Sequence, residues 1–190
     1  LEPRVPNLVK QAQQGDKEAT VEASVLGQAL ELLRQSKPAR LTSPRDEEEA
    51  AALERAQLLT AKPVLYVCNV DEGEAAGGNA LSARVFDKAI AEGAQAVVIS
   101  AAIEAEIATL PAEERDAFLA DLGLEETGLT RMIHAGYALL GLITFFTAGP
   151  KESRAWTVHK GAKAPEAAGE IHTDFERGFI RAETIGFDDY

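Results

Sequence analysis

The chain has a single cysteine, no long apolar run and no phosphate-binding loop. These absences argue in turn against an internal disulfide, a membrane-spanning helix and a complete phosphate-binding site. Cys68 cannot form a disulfide within the chain, so we expect a small buried thiol and a reducing, cytoplasmic location. No apolar stretch approaches the roughly 18 residues that a membrane helix needs, so no membrane partner is expected. The motif Gly-x-x-x-x-Gly-Lys-Ser/Thr, which cradles nucleotide phosphates, does not occur in the 190 residues.

The charge is acidic and unevenly spread. The net charge is −12, and residues 1–149 carry 13 basic and 23 acidic residues, whereas residues 150–190 carry 6 and 8, which gives −10 against −2. The acidic majority argues against general adhesion to nucleic acid, so no DNA partner is expected. The carboxyl-terminal part is the one expected to face a polyanion, although an ordinary solvated face is the alternative interpretation. Its basic residues are Lys151, Arg154, Lys160, Lys163, Arg177 and Arg181.

A helical hairpin is predicted at the start of the chain, where apolar residues recur at helical spacing. Gly15 and Asp16 separate two stripes of this kind. Residues 37–45 contain two prolines and predict a turn. The acidic run at 46–49 suits the start of a third helix, because carboxylates are stabilised at helix N-termini. The two stripes consist of Val5, Leu8, Val9 and Ala12, and of Val21, Val25, Ala29 and Leu33.

A strand-helix-strand unit is predicted in the middle of the chain. Residues 64–68 are almost wholly apolar and do not alternate, which is typical of a parallel strand covered on both faces. A helical pattern follows from Asn79 to a stop at Gly93, and residues 96–99 form a second apolar run. The apolar positions of the helix, four residues apart, are Leu81, Val85 and Ala89.

Polar residues follow both predicted strands. Such units cross over right-handedly, so Asn69 and Ser100 are expected at the carboxyl edge of the sheet, where open α/β sheets bind ligands. Asn69-x-x-Glu72 alone fits a plain strand-ending turn. Its pairing with Ser100-Ala101-Ala102 after the next strand has the order of the last two base-recognition motifs of a GTPase-like domain. The two loops together predict a purine nucleotide site.

The helices after residue 100 carry paired carboxylates, Glu104 with Glu106 and Glu113 with Glu114. No His, Cys or Ser constellation accompanies them, so we expect exposed helix faces rather than acid–base catalysis. The first pair is expected to begin a helix, and Pro111 to lie in the first turn of the next one. A later apolar helix is predicted from Met132, Ile133, Tyr137 and Leu140.

The last part of the chain predicts two strands and a short helix. Residues 145–146 and 155–158 are apolar and flank a turn at Gly149-Pro150, and a helix is expected at 165–171. This order fits the start of a β-grasp domain. His159 and His172 lack the company of other metal-binding side chains and are not assigned as ligands.

Three segments of the chain, 62–72, 100–116 and 131–187, resemble the YchF family of Obg-like ATPases. The most specific motifs are FTAG at 146–149, RAWT at 154–157 and IHTDFERGFIRA at 171–182. The resemblance covers essentially the whole chain and implies an α/β fold, namely the second half of a P-loop GTPase-like domain with a helical-hairpin insertion, followed by a partial β-grasp (TGS) domain. The implied boundaries are 1–59 for the hairpin, 60–142 for the nucleotide domain and 143–190 for the TGS-like domain.

The resemblance implies an ATP-binding, GTP-tolerant hydrolase that uses Mg²⁺ and acts as a ribosome-associated switch. The phosphate loop and the magnesium-binding Asp motif of the family are missing, and the chain begins at Leu1 without a methionine. We therefore expect an internal fragment that is inactive alone, with its magnesium ligands elsewhere and no catalytic residue of its own. The alternative is a ribosome- or RNA-interaction module without catalysis.

The resemblance also implies which residues meet the base. GTPases carry Asn-Lys-x-Asp, whose aspartate accepts two hydrogen bonds from guanine, whereas here Val70 replaces the lysine and Glu72 the aspartate. The extra methylene weakens guanine recognition, and ATP is the expected ligand. Asn69 is expected to hold the loop and the backbone around Val70 to meet the base edge, with Ser100 and Ala101 closing over it.

Overall fold

A computed structural model of the chain describes residues 1–189, which form two compact units, Leu1–Ala135 and a second unit that begins at Gly136. The first unit contains a parallel two-stranded sheet and most of the helices, and the second contains an antiparallel pair of strands. The helices are α1 (Arg4–Gln13), α2 (Lys17–Arg34), α3 (Glu47–Arg55), α4 (Ala80–Ala91), α5 (Ala101–Thr109), α6 (Ala112–Asp121), α7 (Gly128–Leu140), α8 (Ala164–Ile171) and α9 (Thr173–Arg177). The strands are β1 (Leu65–Asn69), β2 (Gln95–Ile99), β3 (Leu142–Ala148) and β4 (Ser153–His159).

The predicted helical hairpin is confirmed. Gly15 has a φ of +95°, a left-handed conformation that ends α1, and Asp16 begins α2 by accepting a hydrogen bond from Ala19 N at 3.0 Å. Helix α2 packs against both α1 and α3. Val25 and Leu26 of α2 are fully buried in the apolar cluster between these helices.

The acidic start of α3 is confirmed, but one of its carboxylates is buried. Asp46 caps the helix by accepting from Glu49 N at 2.9 Å. Glu49 is 1 % exposed and accepts hydrogen bonds from the backbone N–H and the Nε of Arg45, both at 2.8 Å. The Arg45 side chain, its backbone N–H and the Ser24 hydroxyl hold the pKa of Glu49 at about 2.

A second ionic cluster ties the linker after the hairpin to the sheet. Arg40 donates from Nε to the Glu92 carbonyl at 2.9 Å and forms an ion pair with its carboxylate at 2.5 Å. Tyr66 on β1 donates its hydroxyl to the same carboxylate at 2.8 Å. The Tyr66 hydrogen bond, with Lys88 and Arg40 nearby, lowers the pKa of Glu92. The helical hairpin is thereby joined to the strand that ends at Asn69.

Strands β1 and β2 pair in parallel, as predicted, with Asn69 opposite Ile99. The expectation that β1 is covered on both faces is wrong for this chain, because Val67 is 43 % exposed while Val97 of β2 is 6 % exposed. Leu81 is also 67 % exposed, so the inner face of α4 does not include it. Helix α4 contacts both strands, whereas the other residues of the described range 1–189 leave the side chain of Val67 largely uncovered.

The second unit has the predicted strand-strand-helix order. β3 and β4 pair antiparallel, with Phe145 opposite Trp156, and α8 packs on β4. Trp156 donates its indole N–H to the Thr147 hydroxyl at 2.9 Å, and the Arg154 guanidinium lies 4.3 Å from the Trp156 ring centre. The short helix α9 was not predicted. None of the helices formed by residues 1–189 combines the length and the apolarity that crossing a bilayer requires.

Candidate nucleotide-base site

The loops that follow β1 and β2 leave the sheet at the same edge. The strands are in register to their last residues, and Val70 N donates to Ile99 O at 2.9 Å, which extends the pairing one residue beyond β1. This hydrogen bond occupies the Val70 N–H. The expectation that backbone groups around Val70 meet a base therefore cannot include that donor.

One side chain connects the two loops. Asn69 Oδ1 accepts a hydrogen bond from Ala101 N at 2.9 Å, and Ala101 is the first residue of α5. The first N–H groups of a helix have no partner within the helix, so the amide oxygen satisfies one of these free donors. The loop-holding geometry that we expected of Asn69 is present. Its role in binding a nucleotide remains a prediction.

A cavity of about 400 Å³ opens beside this hydrogen bond. Three of the predicted site residues line it, Asn69, Val70 and Glu72. Glu72 is exposed and begins a short 3₁₀ helix, Glu72–Glu74. Among residues 1–189 its carboxylate has no hydrogen-bonding side chain or salt-bridge partner, so its oxygens are available as acceptors. The remaining lining residues are Asp71, Gly73 and Ala102.

Ser100 and Ala101 adjoin the cavity without lining it. Ser100 is 2 % exposed, and its hydroxyl has no partner among the described residues. Ala101 contributes its N–H to Asn69, and Ala102 takes the place on the cavity wall that we expected of its neighbours. The sequence signal for Ala102 was weak, because alanine has no functional group and its position depends on where α5 begins.

The loop after Glu72 is held at its far end by the start of α4. Asn79 Nδ2 donates to Glu74 Oε2 at 2.6 Å, while Asn79 Oδ1 accepts from the N–H groups of Leu81 and Ser82. The Ser82 hydroxyl accepts from Asn79 N, which completes a reciprocal capping box. Gly78 precedes this box with a φ of +72°. Polar contacts therefore fix both ends of the segment that carries Glu72.

The expectation that Glu104 belongs to an exposed helix face is wrong. Helix α5 begins at Ala101, so Glu104 lies within its first turn, where its half-buried side chain accepts hydrogen bonds from Gly128 N and Leu129 N. The contact joins residues 24 and 25 positions apart in the chain. Sequence patterns cannot show such a contact, because it depends on how α7 approaches α5. Glu106, Glu113 and Glu114 are exposed, as expected.

The acidic residues of the described part of the chain do not form a metal centre. No group of three or more His, Cys, Asp or Glu side chains within residues 1–189 is arranged to hold a metal ion. At the cavity, the exposed Glu72 carboxylate can accept hydrogen bonds from a ligand.

Comparison with known proteins shows what the chain is similar to. A protein-family model, YchF-GTPase_C, described as "Protein of unknown function (DUF933)", matches residues 142–190. The "Ribosome-binding ATPase YchF" of Bacillus subtilis (strain 168) is 48 % identical over 191 residues, which cover 100 % of this chain and 52 % of that protein. The "Obg-like ATPase 1" of Rattus norvegicus is 38 % identical over 180 residues, covering 93 % and 45 %.

A solved structure agrees with these relatives. The solved structure titled "Structure of the Schizosaccharomyces pombe YchF GTPase" is similar to this chain with a TM-score of 0.75 and 28 % sequence identity. The match covers 94 % of this chain and 50 % of the chain in that structure. The chain spans about half the length of the curated relatives it matches. The likeness extends over both the first unit and the second, carboxyl-terminal unit. The chain belongs to the YchF family of Obg-like ATPases.

Proposed function

We propose that this chain is the base-recognition part of a cytoplasmic nucleoside triphosphatase that binds ATP and tolerates GTP. The observation that carries the proposal is the connection between Asn69 Oδ1 and Ala101 N at 2.9 Å, beside a cavity lined by the exposed Glu72. Two loops at the carboxyl edge of a parallel sheet, tied by an amide, form a preorganised ligand site. Relatives that match 100 % and 93 % of the chain are named ATPases.

The acceptor chemistry of the cavity favours adenine over guanine. A carboxylate accepts from the exocyclic amine of adenine, and it needs only one good hydrogen bond to do so. Guanine presents two parallel donors that suit a shorter aspartate, and Glu72 places its oxygens one methylene farther from the backbone. No lysine accompanies it, since position 70 is valine. ATP is therefore the preferred ligand in this proposal and GTP a weaker one.

The proposal includes the organisation of the chain and of the intact protein. Residues 1–59 form the hairpin insertion, 60–142 the end of the nucleotide domain and 143–190 a TGS-like β-grasp domain. Mg²⁺ supplies charge neutralisation at the phosphates when it is bound, and we assign none of its ligands to this chain. The residues described here bind and orient the base.

Nucleotide titration tests the proposal. Calorimetry with the full gene product should show tighter binding of ATP than of GTP. The 190-residue chain alone should bind ATP only weakly, because it lacks the phosphate-binding motif. Failure of the full gene product to bind either nucleotide would contradict the whole proposal. Micromolar binding by the 190-residue chain would contradict the part that assigns most of the affinity to phosphate contacts.

A second function, docking to the ribosome, is favoured by a separate observation. Bacterial relatives are named ribosome-binding ATPases. The carboxyl-terminal unit carries six basic and eight acidic residues, whereas the first unit carries 13 basic and 23 acidic ones. In this alternative the nucleotide switches an interaction module and this chain performs no catalysis. Co-sedimentation of the 190-residue chain with ribosomes tests whether it docks by itself. The same measurement on the full gene product, with and without ATP, tests whether the nucleotide switches the docking.

A further inference from the structure

The first turn of α7 contacts both segments that border the cavity. On one side, Glu104 Oε1 of α5 accepts from Gly128 N at 2.6 Å, and Oε2 accepts from Leu129 N at 3.2 Å. These are the first two N–H groups of α7, which have no partners within the helix, and the carboxylate also meets the positive end of the helix dipole. Glu104 thus joins the start of α7 to the first turn of α5.

The approach of α7 to this carboxylate leaves little room for a side chain at position 128. Gly128 is buried, and a Cβ atom there would lie 3.0 Å from Glu104 Oε1 and 3.0 Å from Cβ of Ile99, the last residue of β2. The glycine lets the helix backbone reach both the carboxylate and the end of the strand. The backbone of α7 therefore lies directly against the Glu104 carboxylate and the side chain of Ile99.

On the other side, α7 reaches the loop that carries Glu72. Arg131 donates from its terminal nitrogen to the carbonyl of Ala75 at 3.3 Å, and Ala75 is 2 % exposed. Ala75 directly follows the 3₁₀ helix that begins at Glu72. The Nε of Arg131 is buried without a partner among the described residues, and the bond to the Ala75 carbonyl is the hydrogen bond that the guanidinium makes there.

We propose that Glu104 and Arg131 are positioning residues that align the two walls of the cavity and thereby set the preference between ATP and GTP. The inference rests on the proposed nucleotide site. Glu104 holds α5, and with it Ala102 on the cavity wall, while Arg131 holds the segment that presents Glu72. In the proposed site, the preference between adenine and guanine depends on where the carboxylate oxygens lie, and a glutamate and an aspartate differ there by about one methylene. Small movements of either wall therefore change which base forms the better hydrogen bonds.

The test compares variants of the full gene product in ATP and GTP titrations. The variants are E104Q, which removes the charge and one acceptor, and R131K, which removes the forked guanidinium. The control is E106Q, an exposed neighbour on the same helix. The ratio of the two dissociation constants should change by about threefold to tenfold in E104Q and R131K, the effect of one weakened hydrogen bond, and stay constant in E106Q.

The outcomes separate a positioning role from a merely structural one. If both affinities fall by the same factor, with a loss of thermal stability and an unchanged ratio, the proposal is overturned. Gly128→Ala supplies an independent probe, because it displaces Glu104 without removing its charge and should change the ratio in the same direction as E104Q. If the unmodified protein binds neither nucleotide, the proposed function fails rather than the positioning of its loops.

Discussion

Asn69 and Ala101 lie 32 residues apart in the chain, and the side-chain oxygen of the first accepts the backbone N–H of the second at 2.9 Å. Asn69→Ala removes the acceptor and leaves a helix N–H unpaired, which should lower the free energy of unfolding by about 1 kcal/mol. Urea unfolding of the 190-residue chain measures this. Asn69→Asp keeps an acceptor oxygen and serves as the control. Equal stability of the alanine and aspartate variants would contradict a holding role.

The identity of the base partner is tested by restoring the pattern found in GTPases. Val70→Lys combined with Glu72→Asp should shift preference towards GTP in the full gene product, because aspartate suits the two donors of guanine. The change at stake is about 1–3 kcal/mol, which corresponds to one or two hydrogen bonds. Competition between ATP and GTP for the double variant and for Val70→Lys alone provides the measurement. An unchanged preference in the double variant would refute the role of Glu72.

The loop before α4 should require glycine at one position and accept alanine at the position before it. Gly78 has a φ of +72°, and a Cβ atom there would lie 2.5 Å from the Ser82 hydroxyl of the capping box. Gly78→Ala should cost about 2 kcal/mol of stability, from the left-handed backbone together with the disturbed cap. Gly77→Ala is the matched control, since nothing lies within 4 Å of its added Cβ. Similar midpoints in urea for the two variants would contradict this account.

The buried carboxylate of Glu49 should make stability depend on acidity. Its pKa is about 2 in the folded chain, chiefly because Arg45 donates to it, and about 4.3 in an unfolded one. Because the folded pKa is the lower of the two, ionised Glu49 stabilises the fold at pH values above the unfolded-state pKa. This contribution disappears as the pH falls from about 4.3 to about 2. Glu49→Gln should therefore lower the unfolding temperature at neutral pH and flatten its dependence in that window. Glu48→Gln, an exposed neighbour, should leave both unchanged.

If the carboxyl-terminal unit contacts ribosomal RNA, its exposed basic residues should carry the salt dependence of binding. Replacing Lys160, Lys163 and Arg177 with alanine should weaken co-sedimentation with ribosomes and reduce the salt slope by roughly one unit for each lost phosphate contact. Nucleotide affinity should not change, because none of the three lies in the first unit.

A matched triple variant in the helical hairpin region separates the two docking surfaces. Lys10, Lys17 and Lys37 are exposed, and their replacement removes the same charge from the first unit. If only this second triple weakens co-sedimentation, the hairpin is the docking surface. In that case the basic residues of the carboxyl-terminal unit only solubilise a small sheet.

Much of the fold could be predicted from local patterns. The break at Gly15-Asp16, the parallel strands and the helix after Asn79 follow from glycine conformation, capping and apolar periodicity, all of which act over a few neighbouring residues. The antiparallel strands around Gly149-Pro150 follow in the same way. The sequence by itself determined these elements because their causes lie within one turn or one strand.

The tertiary structure decided the contacts between distant segments. Glu104 belongs to an acidic helix pattern that solvent exposure explains equally well, and only the approach of α7 shows that it caps Gly128. The same holds for the burial of Glu49 and for Val67, whose apolar strand leaves one face open in this chain. Burial and long-range hydrogen bonds depend on which surfaces meet in space. That information is distributed over the whole chain, so no single motif contains it.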